Sequence, residues 1–391
     1  MSRWRPQLYR KQGEEASVSD AILADAIAIA EVTAKANPKI PPIFTLRHLA
    51  HLADVNYGFI RTVVSRTNPN PYRLFRIRKR PSETGERRFR LIAVPDPSLL
   101  KTQRWITQEI LGKAEPHSAS VAFSKGDTLL AAAEPHCGCR WLIKLDVRNF
   151  FESISEIAVY NVFQSLGYQP LVAFELARLC TRLRTSEFPF KPRWWVRWWG
   201  WTTILAYQVW RPDNGSRMGH LPQGAPTSPM LANLAMREFD KLVSRIADQN
   251  GLIYTRYADD LTLSSKNESY SRDHCRGAIG AVYAAMGKFG LSPNATKTRI
   301  VTPGARKIVL GLLVDGQKPR LLRSFKASMR QHLYYLQHPK IGPVAHAKKR
   351  GFVSVVGLRN HLFGLASFAV QIEPKYGKHC LSQLHKVDWP L

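Results

Sequence analysis

The sequence has few acidic residues for its length and no long apolar run. Asp and Glu number 29 against 57 Lys and Arg, which leaves a formal net charge of +28. A field of that sign favours a polyanionic partner, nucleic acid or an acidic membrane surface, although basic charge can also serve solubility alone. No stretch approaches the ~18 apolar residues of a membrane-spanning helix. We therefore expect nucleic acid, and no membrane, as the partner.

Cysteine is also scarce, and its distribution is uninformative. The chain has five cysteines, an odd number that does not suit a disulfide framework. The His136-Cys-Gly-Cys139 run lacks the further ligands at recognisable spacing that a structural zinc needs. Near the N-terminus, Asp25 and Glu31 interrupt the apolar stretch 21–32, so it lacks the core of a secretory signal. These features predict a cytoplasmic protein.

The first third of the chain is predicted to be an arm, a helical segment and a basic hairpin. Residues 1–40 form a polar arm with a helix that starts near Ser19. Apolar residues recur at helical spacing over 46–64, which predicts a helix or a helix pair. Two β-like basic runs, 72–80 and 87–95, flank a glycine-containing turn and predict a hairpin. A further helix is expected over 99–111.

The middle of the chain contains a buried strand, two helices and a second hairpin. Residues 141–147 are apolar and include an aspartate near their end, a pattern typical of a buried strand. Ser155 is expected to cap a helix that runs to about Gly167, and 171–183 predicts another. Residues 252–264 predict strand, turn and strand, with the turn at Ala258-Asp-Asp260.

The segment 191–210 contains six tryptophans among arginines. It can stack on unpaired bases, with its arginines on phosphates. An apolar surface for a protein partner and a place in the core are equally compatible with the pattern.

The last quarter predicts a third hairpin and a helical tail. One strand over 309–314, an Asp315-Gly316 turn and a run to 322 make the hairpin. The first helix after it has an apolar face and a basic face. The apolar face carries Phe325, Met329, Leu333 and Leu336, and the basic face carries Arg323, Lys326 and Arg330.

The chemistry is predicted where two strands end in acid, at Asp146 and at Asp259-Asp260. A carboxylate at the end of a buried strand costs desolvation energy unless it is paired, hydrogen-bonded or bound to a cation. Side chains alternate along a strand, so we expect Asp259 to face Asp146 and Asp260 to lie more peripherally. Converging carboxylates can hold two Mg²⁺ ions about 3.5–4 Å apart and support nucleotidyl transfer. An isolated acidic pair would fit a helix cap and a solvated turn better.

Three elements resemble those of reverse transcriptases, and they occur in that family's order. The catalytic Tyr-x-Asp-Asp box is matched by Tyr257-Ala-Asp-Asp260, and the first catalytic strand by Leu145-Asp-Val-Arg-Asn-Phe-Phe151. Leu221-Pro-Gln-Gly-Ala-Pro-Thr-Ser-Pro229 is very close to an element of retron and related bacterial enzymes. The resemblance covers about 46–384, almost the whole chain.

The resemblance implies roles for individual residues. Asp146, Asp259 and Asp260 match the catalytic acids that bind two Mg²⁺ ions, for which Mn²⁺ is a possible substitute. Phe151 matches an aromatic steric gate against a ribose 2′-OH. The other implied nucleotide-binding residues are Lys79, Arg90, Gln223, Gly224 and Lys297.

Without the family, some of these residues have plainer interpretations. Lys79 fits a solvated basic face equally well, and Phe151 fits the core better. For nucleic-acid binding, the resemblance points to His136, and the basic helix face points to Arg323, Lys326 and Arg330. A solvated helix face is the alternative for the last three.

The implied fold is α+β, a right-hand polymerase whose antiparallel palm sheet is backed by helices and followed by a helical thumb. We predict an N-terminal helical arm over 1–40 and fingers over 41–130. The palm with the catalytic site spans 131–300, and the thumb and RNA-binding C-terminal region span 301–391.

The implied function is that of a retron-type RNA-directed DNA polymerase. Such an enzyme uses dNTPs to copy part of a structured non-coding RNA into a branched RNA–DNA hybrid (msDNA), is associated with antiphage defence, and acts with a separate effector protein. Two retron elements differ here, with Ala132 in place of an asparagine and Leu310 in place of a threonine. The alternatives are a group II intron, diversity-generating or abortive-infection reverse transcriptase, or a non-catalytic RNA-binding scaffold.

Overall fold

A computed structural model describes residues 4–68, 70–78, 89–183 and 218–390. Its helices are α1 (Pro6–Glu15), α2 (Asp20–Ala36), α3 (Leu46–Leu52), α4 (Tyr57–Val64), α5 (Pro97–Glu109), α6 (Leu129–Ala133), α7 (Phe150–Ser153), α8 (Glu156–Ser165), α9 (Pro170–Cys180), α10 (Ser228–Ala235), α11 (Arg237–Gln249), α12 (Arg272–Lys288), α13 (Arg323–Gln337), α14 (Gly342–Lys349), α15 (Val355–Ile372) and α16 (Pro374–His385). Its strands are β1 (Tyr72–Arg78), β2 (Phe89–Pro95), β3 (Trp141–Asp146), β4 (Ile253–Tyr257), β5 (Asp260–Ser265), β6 (Arg299–Val301), β7 (Ile308–Val309), β8 (Leu312–Leu313) and β9 (Arg320–Leu321).

The chain divides into two compact units, and the described strands pair only in antiparallel fashion. The first unit comprises Met1–Lys125, Val147–Leu242 and Tyr283–Asn294. The second comprises Gly126–Asp146, Val243–Val282 and Ala295–Leu391. The protein is therefore a mixture of helices and antiparallel sheets, as predicted.

In the first unit, the N-terminal helices are tied to the connection between α8 and α9. Helix α2 starts directly after Ser19, as predicted. Thr33 donates a hydrogen bond to the carbonyl of Gly167 at 3.0 Å, and Tyr168 donates one to the carbonyl of Pro41 at 2.9 Å. The expected helix pair over 46–64 is present as α3 and α4.

The basic hairpin is confirmed by the pairing of β1 with β2, in a register that places Tyr72 opposite Pro95. Lys79 and the rest of the connecting turn lie outside the described residues. Helix α5 follows β2 and buries Leu99 and Ile106.

Helices α8 and α9 pack against each other, and a short extended run lies beside them. Ser155 caps α8 by accepting a hydrogen bond from the amide of Ala158, as predicted. Helix α9 ends at Cys180, three residues before the predicted limit of 183. Arg182 and His220 then exchange two backbone hydrogen bonds of 3.0 Å. The tryptophan-rich segment between them lies outside the described residues.

The second unit contains a four-stranded sheet in the order β4-β5-β3-β6. Strand β3 lies inside this sheet, and Leu142, Ile143 and Leu145 are buried. The predicted buried strand and the hairpin after it are therefore both present. The turn of that hairpin is shorter than predicted, because β5 already begins at Asp260.

The prediction of one strand over 309–314 is wrong. Strand β7 ends at Val309 and β8 begins at Leu312, so Leu310 and Gly311 form a two-residue turn. Both have positive φ values, 47° and 83°, the conformation that a tight hairpin turn requires. Strand β8 then pairs with β9, and Asp315-Gly316 lies in the connection between these two strands.

The C-terminal helices α13 to α16 share one hydrophobic core. Helix α15 also contributes to a second core, which it forms with residues of the strands. Met329, Leu333 and Leu336 of α13 are buried, which confirms most of the predicted apolar face. Leu142 of β3, Val309 of β7 and Ala369 of α15 belong to the second core. These contacts join the sheets to the helical tail within one unit.

The described residues contain neither a disulfide nor a membrane-spanning helix. All five cysteines are buried and free, so no disulfide forms there. Among the described helices, none has the length and apolar character needed to cross a bilayer.

The close contact between α15 and α16 depends on Gly377. A methyl group added there would lie 2.2 Å from the backbone nitrogen of Val370, and backbone cannot move aside by rotamer change. We expect Gly377→Ala to lower the free energy of unfolding by about 3 kcal/mol, the upper range for overpacking. Urea denaturation measures this loss.

The matched control is Gly364→Ala, in the interior of α15, where no atom lies within 4 Å of the added methyl group. It should be neutral or stabilise by about 0.5–1 kcal/mol through helix propensity. Equal unfolding midpoints for the two variants would contradict the packing argument.

Candidate active site

Two of the three predicted catalytic acids are cross-strand partners in the second unit. The register of β3 and β5 places Asp146 opposite Asp260. Residues directly opposite in an antiparallel pair have Cβ atoms about 4.5–5.5 Å apart on one face. Asp259 lies in the adjoining two-residue turn with Ala258, whose φ is 55°. The predicted order therefore differs, since Asp260 and not Asp259 is paired with Asp146.

The acidic cluster is partly withdrawn from water. Asp146 is only 4% exposed, and Asp260 is half-buried. Burial, followed by the negative charges of Asp259 and Asp146, raises the pKa of Asp260 to about 6. Lys144 and Lys297 act in the opposite direction. The cluster therefore holds excess negative charge that favours a cation.

Lys297 forms an ion pair with this cluster. It ends a short 3₁₀ helix, Ala295–Lys297, and its Nζ lies 2.6 Å from Oδ2 of Asp146. The carboxylate of Asp146 is buried, whereas the Lys297 side chain is 55% exposed. One end of this ion pair is therefore open to an anionic ligand.

The donor set fits a hard divalent ion that keeps open coordination positions. Among the described residues, no group of three or more His, Cys, Asp or Glu side chains is arranged as a metal cage. Mg²⁺ prefers oxygen ligands and is usually bound by one or two carboxylates together with substrate phosphates, without an all-protein cage. Asp146 and the two hairpin aspartates supply oxygen ligands of this kind.

His136 is a buried residue that contacts two strands of the sheet. It is fully buried, with Nδ1 2.7 Å from Oγ of Ser264 and Nε2 2.8 Å from Oγ1 of Thr255. It therefore joins β5 to β4, the two strands that flank the Ala258-Asp259 turn. This differs from the expectation that His136 binds nucleic acid, because both ring nitrogens are used inside the protein.

The remaining predicted nucleotide-binding residues that the structure describes, apart from Lys297, lie in the first unit. Gln223 accepts a hydrogen bond from the amide of Ala93 at 2.7 Å, which attaches its loop to β2, the strand that carries Arg90. Gly224 has a φ of 110° and lies against the same strand. Phe151 is half-buried and packs edge-on against Phe150.

The predicted basic face of α13 is only partly free. Arg323 and Arg330 are exposed. Lys326 is half-buried, with its Nζ 2.5 Å from Oε2 of Glu373 and 5.2 Å from the ring centre of Tyr376. Lys326 thus joins α13 to the α15–α16 junction.

One charged residue of the cluster was missed by the sequence analysis. Lys144 precedes Asp146 by two positions in β3, so both side chains project from the same face. The alternation of that strand is the signal that would have identified it.

Comparison with known proteins places this geometry in a family context. Residues 77–336 match the family model described as reverse transcriptase (RNA-dependent DNA polymerase). The chain is 29% identical to the retron Ec86 reverse transcriptase of Escherichia coli, over 89% of this chain and 95% of that protein. It is 28% identical to the retron Mx162 reverse transcriptase of Myxococcus xanthus, over 79% of this chain and 60% of that protein. It is 27% identical to the retron Ec83 reverse transcriptase of Escherichia coli, over 81% of this chain and 90% of that protein.

The burial of His136 predicts acid sensitivity. Desolvation, with a smaller contribution from Lys266, lowers the pKa of His136 from 6.5 to about 4. As the pH falls, His136 of the unfolded chain takes up a proton before His136 of the folded protein does. The contribution of His136 to the free energy of unfolding is therefore fully present above pH 6.5 and is lost as the pH decreases to 4. The loss from this residue is at most about 3 kcal/mol.

Urea denaturation across this pH range measures the effect. His136→Gln should be less stable at pH 7 and should show a shallower decline than the wild type. His274→Gln, the same change at an exposed residue of the same unit, should retain the wild-type slope. Parallel profiles for the wild type and His136→Gln would contradict the assignment.

Proposed function

The chain belongs to the reverse transcriptase family of RNA-dependent DNA polymerases, and from that premise we propose that the acidic end of β3 and β5 is its catalytic site. The observation that carries this proposal is the pairing of Asp146 with Asp260, with Asp259 in the turn beside them. All three residues lie within the region that matches the family model.

The proposed reaction is the addition of a dNTP to a growing DNA strand on an RNA template. Asp146, Asp259 and Asp260 would hold two Mg²⁺ ions, which lower the pKa of the attacking hydroxyl and stabilise charge on the pyrophosphate. Lys297 orients Asp146 through its ion pair and presents the exposed side of its ammonium to the leaving phosphates. Burial of Asp146 keeps its carboxylate in one orientation.

The first unit supplies the proposed nucleotide pocket. Arg90 and Lys79 bind the triphosphate, and the Gln223-Gly224 loop lines the nucleotide where glycine allows close backbone approach. Phe151 follows Asp146 by five residues and acts as the steric gate against a 2′-OH. Its half-buried ring packs edge-on against Phe150, and this contact supports that role.

The four-stranded sheet is the proposed palm. The other proposed subdomains are fingers over 41–130 and a thumb over 301–391, with the palm spanning 131–300. The exposed Arg323 and Arg330 of α13 would bind the template–product duplex through its phosphates.

We further propose a retron-type role, in which the enzyme copies part of a partner non-coding RNA into a branched RNA–DNA hybrid. The retron relatives and the net charge of +28 support this proposal. Antiphage defence together with a separate effector protein is the corresponding biological role.

The catalytic assignment predicts the effect of Asp259→Asn. The variant keeps the shape of the side chain but loses the charge that holds a metal ion. Primer extension on an RNA template with Mg²⁺ should fall by about 10³-fold, equivalent to about 4 kcal/mol of transition-state stabilisation. EDTA should abolish the wild-type activity, and added Mg²⁺ should restore it.

Asp273→Asn is the matched control, because Asp273 is an exposed aspartate of α12 in the same unit. It should retain wild-type incorporation. Equal incorporation by Asp259→Asn and the wild type would rule out the assigned site.

The retron assignment predicts the nucleic acid that co-purifies with the protein. Wild-type protein expressed from its native locus should carry DNA joined to RNA by a 2′–5′ branch, and treatment with a debranching enzyme should separate the two strands. The Asp259→Asn protein should carry the RNA alone. Sequencing that finds only unbranched DNA bound to the wild type would contradict the assignment.

A further inference from the structure

The Gln223-Gly224 loop is held on one side by β2. Besides the hydrogen bond from Ala93, its position is set by Gly224, where an added Cβ would lie 2.7 Å from Cγ2 of Ile92. The loop therefore has little room to move toward this strand. On the other side, the position of the loop depends on residues 219–221, which precede it in the chain.

The run that enters the loop is an added extended segment of the first unit. The amide of Leu221 donates to the carbonyl of Ile154 at 3.1 Å, and the amide of Glu156 donates to the carbonyl of Gly219 at 2.8 Å. On its other side, His220 exchanges two backbone hydrogen bonds with Arg182. The run is thus fixed up to Leu221, two residues before Gln223.

The carboxylate of Glu156 joins this run to three helices. It accepts hydrogen bonds from Arg66 Nη2 at 2.5 Å, Thr181 Oγ1 at 3.0 Å, the amide of Gly219 at 3.2 Å and Arg178 Nε at 3.3 Å. Arg66 lies two residues beyond the end of α4, Glu156 opens α8, and Arg178 and Thr181 lie at the end of α9. A single carboxylate therefore sets the distance between these helix ends and the run.

Gly219 leaves room for this carboxylate, and any side chain at this position would displace the surrounding groups. A Cβ at this position would lie 2.4 Å from Oε2 of Glu156, 2.7 Å from Oγ1 of Thr181 and 2.9 Å from Nη2 of Arg66. Without a side chain, the backbone amide of Gly219 reaches the carboxylate directly. The network thus acts on the main chain that leads into the loop.

We propose that Glu156 is a positioning residue for the incoming nucleotide, acting through Gly219 on the Gln223-Gly224 loop. The inference rests on the proposed role of that loop. It assigns to Glu156, in the half of the molecule that lacks the catalytic acids, control over how well the dNTP binds.

The negative charge of Glu156 is what the positioning requires. The side chains of Arg66 and Glu156 are only 8% and 10% exposed, so the ion pair is largely shielded from water. Removing one charge of such a pair leaves the other buried and uncompensated, and the partners rearrange toward new acceptors. A displacement of about 1 Å in a substrate-positioning group can cost roughly 100-fold in rate.

The test is steady-state primer extension with Glu156→Gln. We expect the KM for dNTP to rise at least tenfold, with a smaller change in kcat and an unchanged KM for the RNA template–primer. Glu156→Asp, which keeps the charge on a shorter side chain, should recover part of the loss. A purely structural role would instead reduce the active fraction and lower kcat at constant KM.

The matched control is Glu175→Gln on α9. Glu175 and Glu156 are both 8% exposed, and burial raises the pKa of Glu175, which Arg61 partly offsets. Nothing described links Glu175 to the 219–221 run, so its variant should keep the wild-type KM for dNTP. An equal rise in both variants would overturn the proposal.

Hydrogen–deuterium exchange provides a readout that does not depend on activity. Amides of 219–224 should exchange faster in Glu156→Gln and at the wild-type rate in Glu175→Gln. If Glu156→Gln does not fold, Gly219→Ala tests the same contact with all charges kept, and should raise the same KM. An unchanged KM for dNTP and unchanged exchange in a folded variant would overturn the inference. A wild-type protein that incorporates no dNTP at all would instead count against the proposed function of the site.

Discussion

Two carboxylates face each other across an antiparallel ladder at Asp146 and Asp260. Like charges in directly opposed positions destabilise a sheet, and burial of Asp146 strengthens their repulsion because the local dielectric is low. The ammonium of Lys297 offsets part of that repulsion. The pKa of Asp260 is raised by burial first, and then by the negative charges of Asp259 and Asp146. The remaining negative charge favours a cation at this end of the sheet.

The second unit must therefore be stabilised elsewhere to keep this pair together. Leu142, Ile143 and Leu145 of β3 are buried, and each buried aliphatic side chain contributes about 1.5–3 kcal/mol. His136 adds hydrogen bonds to both strands of the hairpin. The buried side chains of β3 and the hydrogen bonds of His136 thus offset the repulsion between the aspartates at the end of the sheet.

Much of the architecture could be predicted because its signals are local. The apolar run of β3, the Ser155 cap and the paired runs of β1 and β2 each depend on neighbouring residues. The turn at Leu310 could not be predicted, since a leucine with positive φ has no sequence signature. The turn between β4 and β5 is one residue shorter than predicted, which makes Asp260 the cross-strand partner of Asp146. Contacts between distant residues, such as Lys326 with Glu373, leave no periodic pattern at all.

The reciprocal hydrogen bonds between Arg182 and His220 have a further consequence for how the chain tolerates change. Arg182 and His220 are held side by side by these bonds, although 37 positions separate them along the chain. Loop-closure entropy grows only slowly with length. The free energy of folding should therefore depend only weakly on the number of residues that join Arg182 to His220.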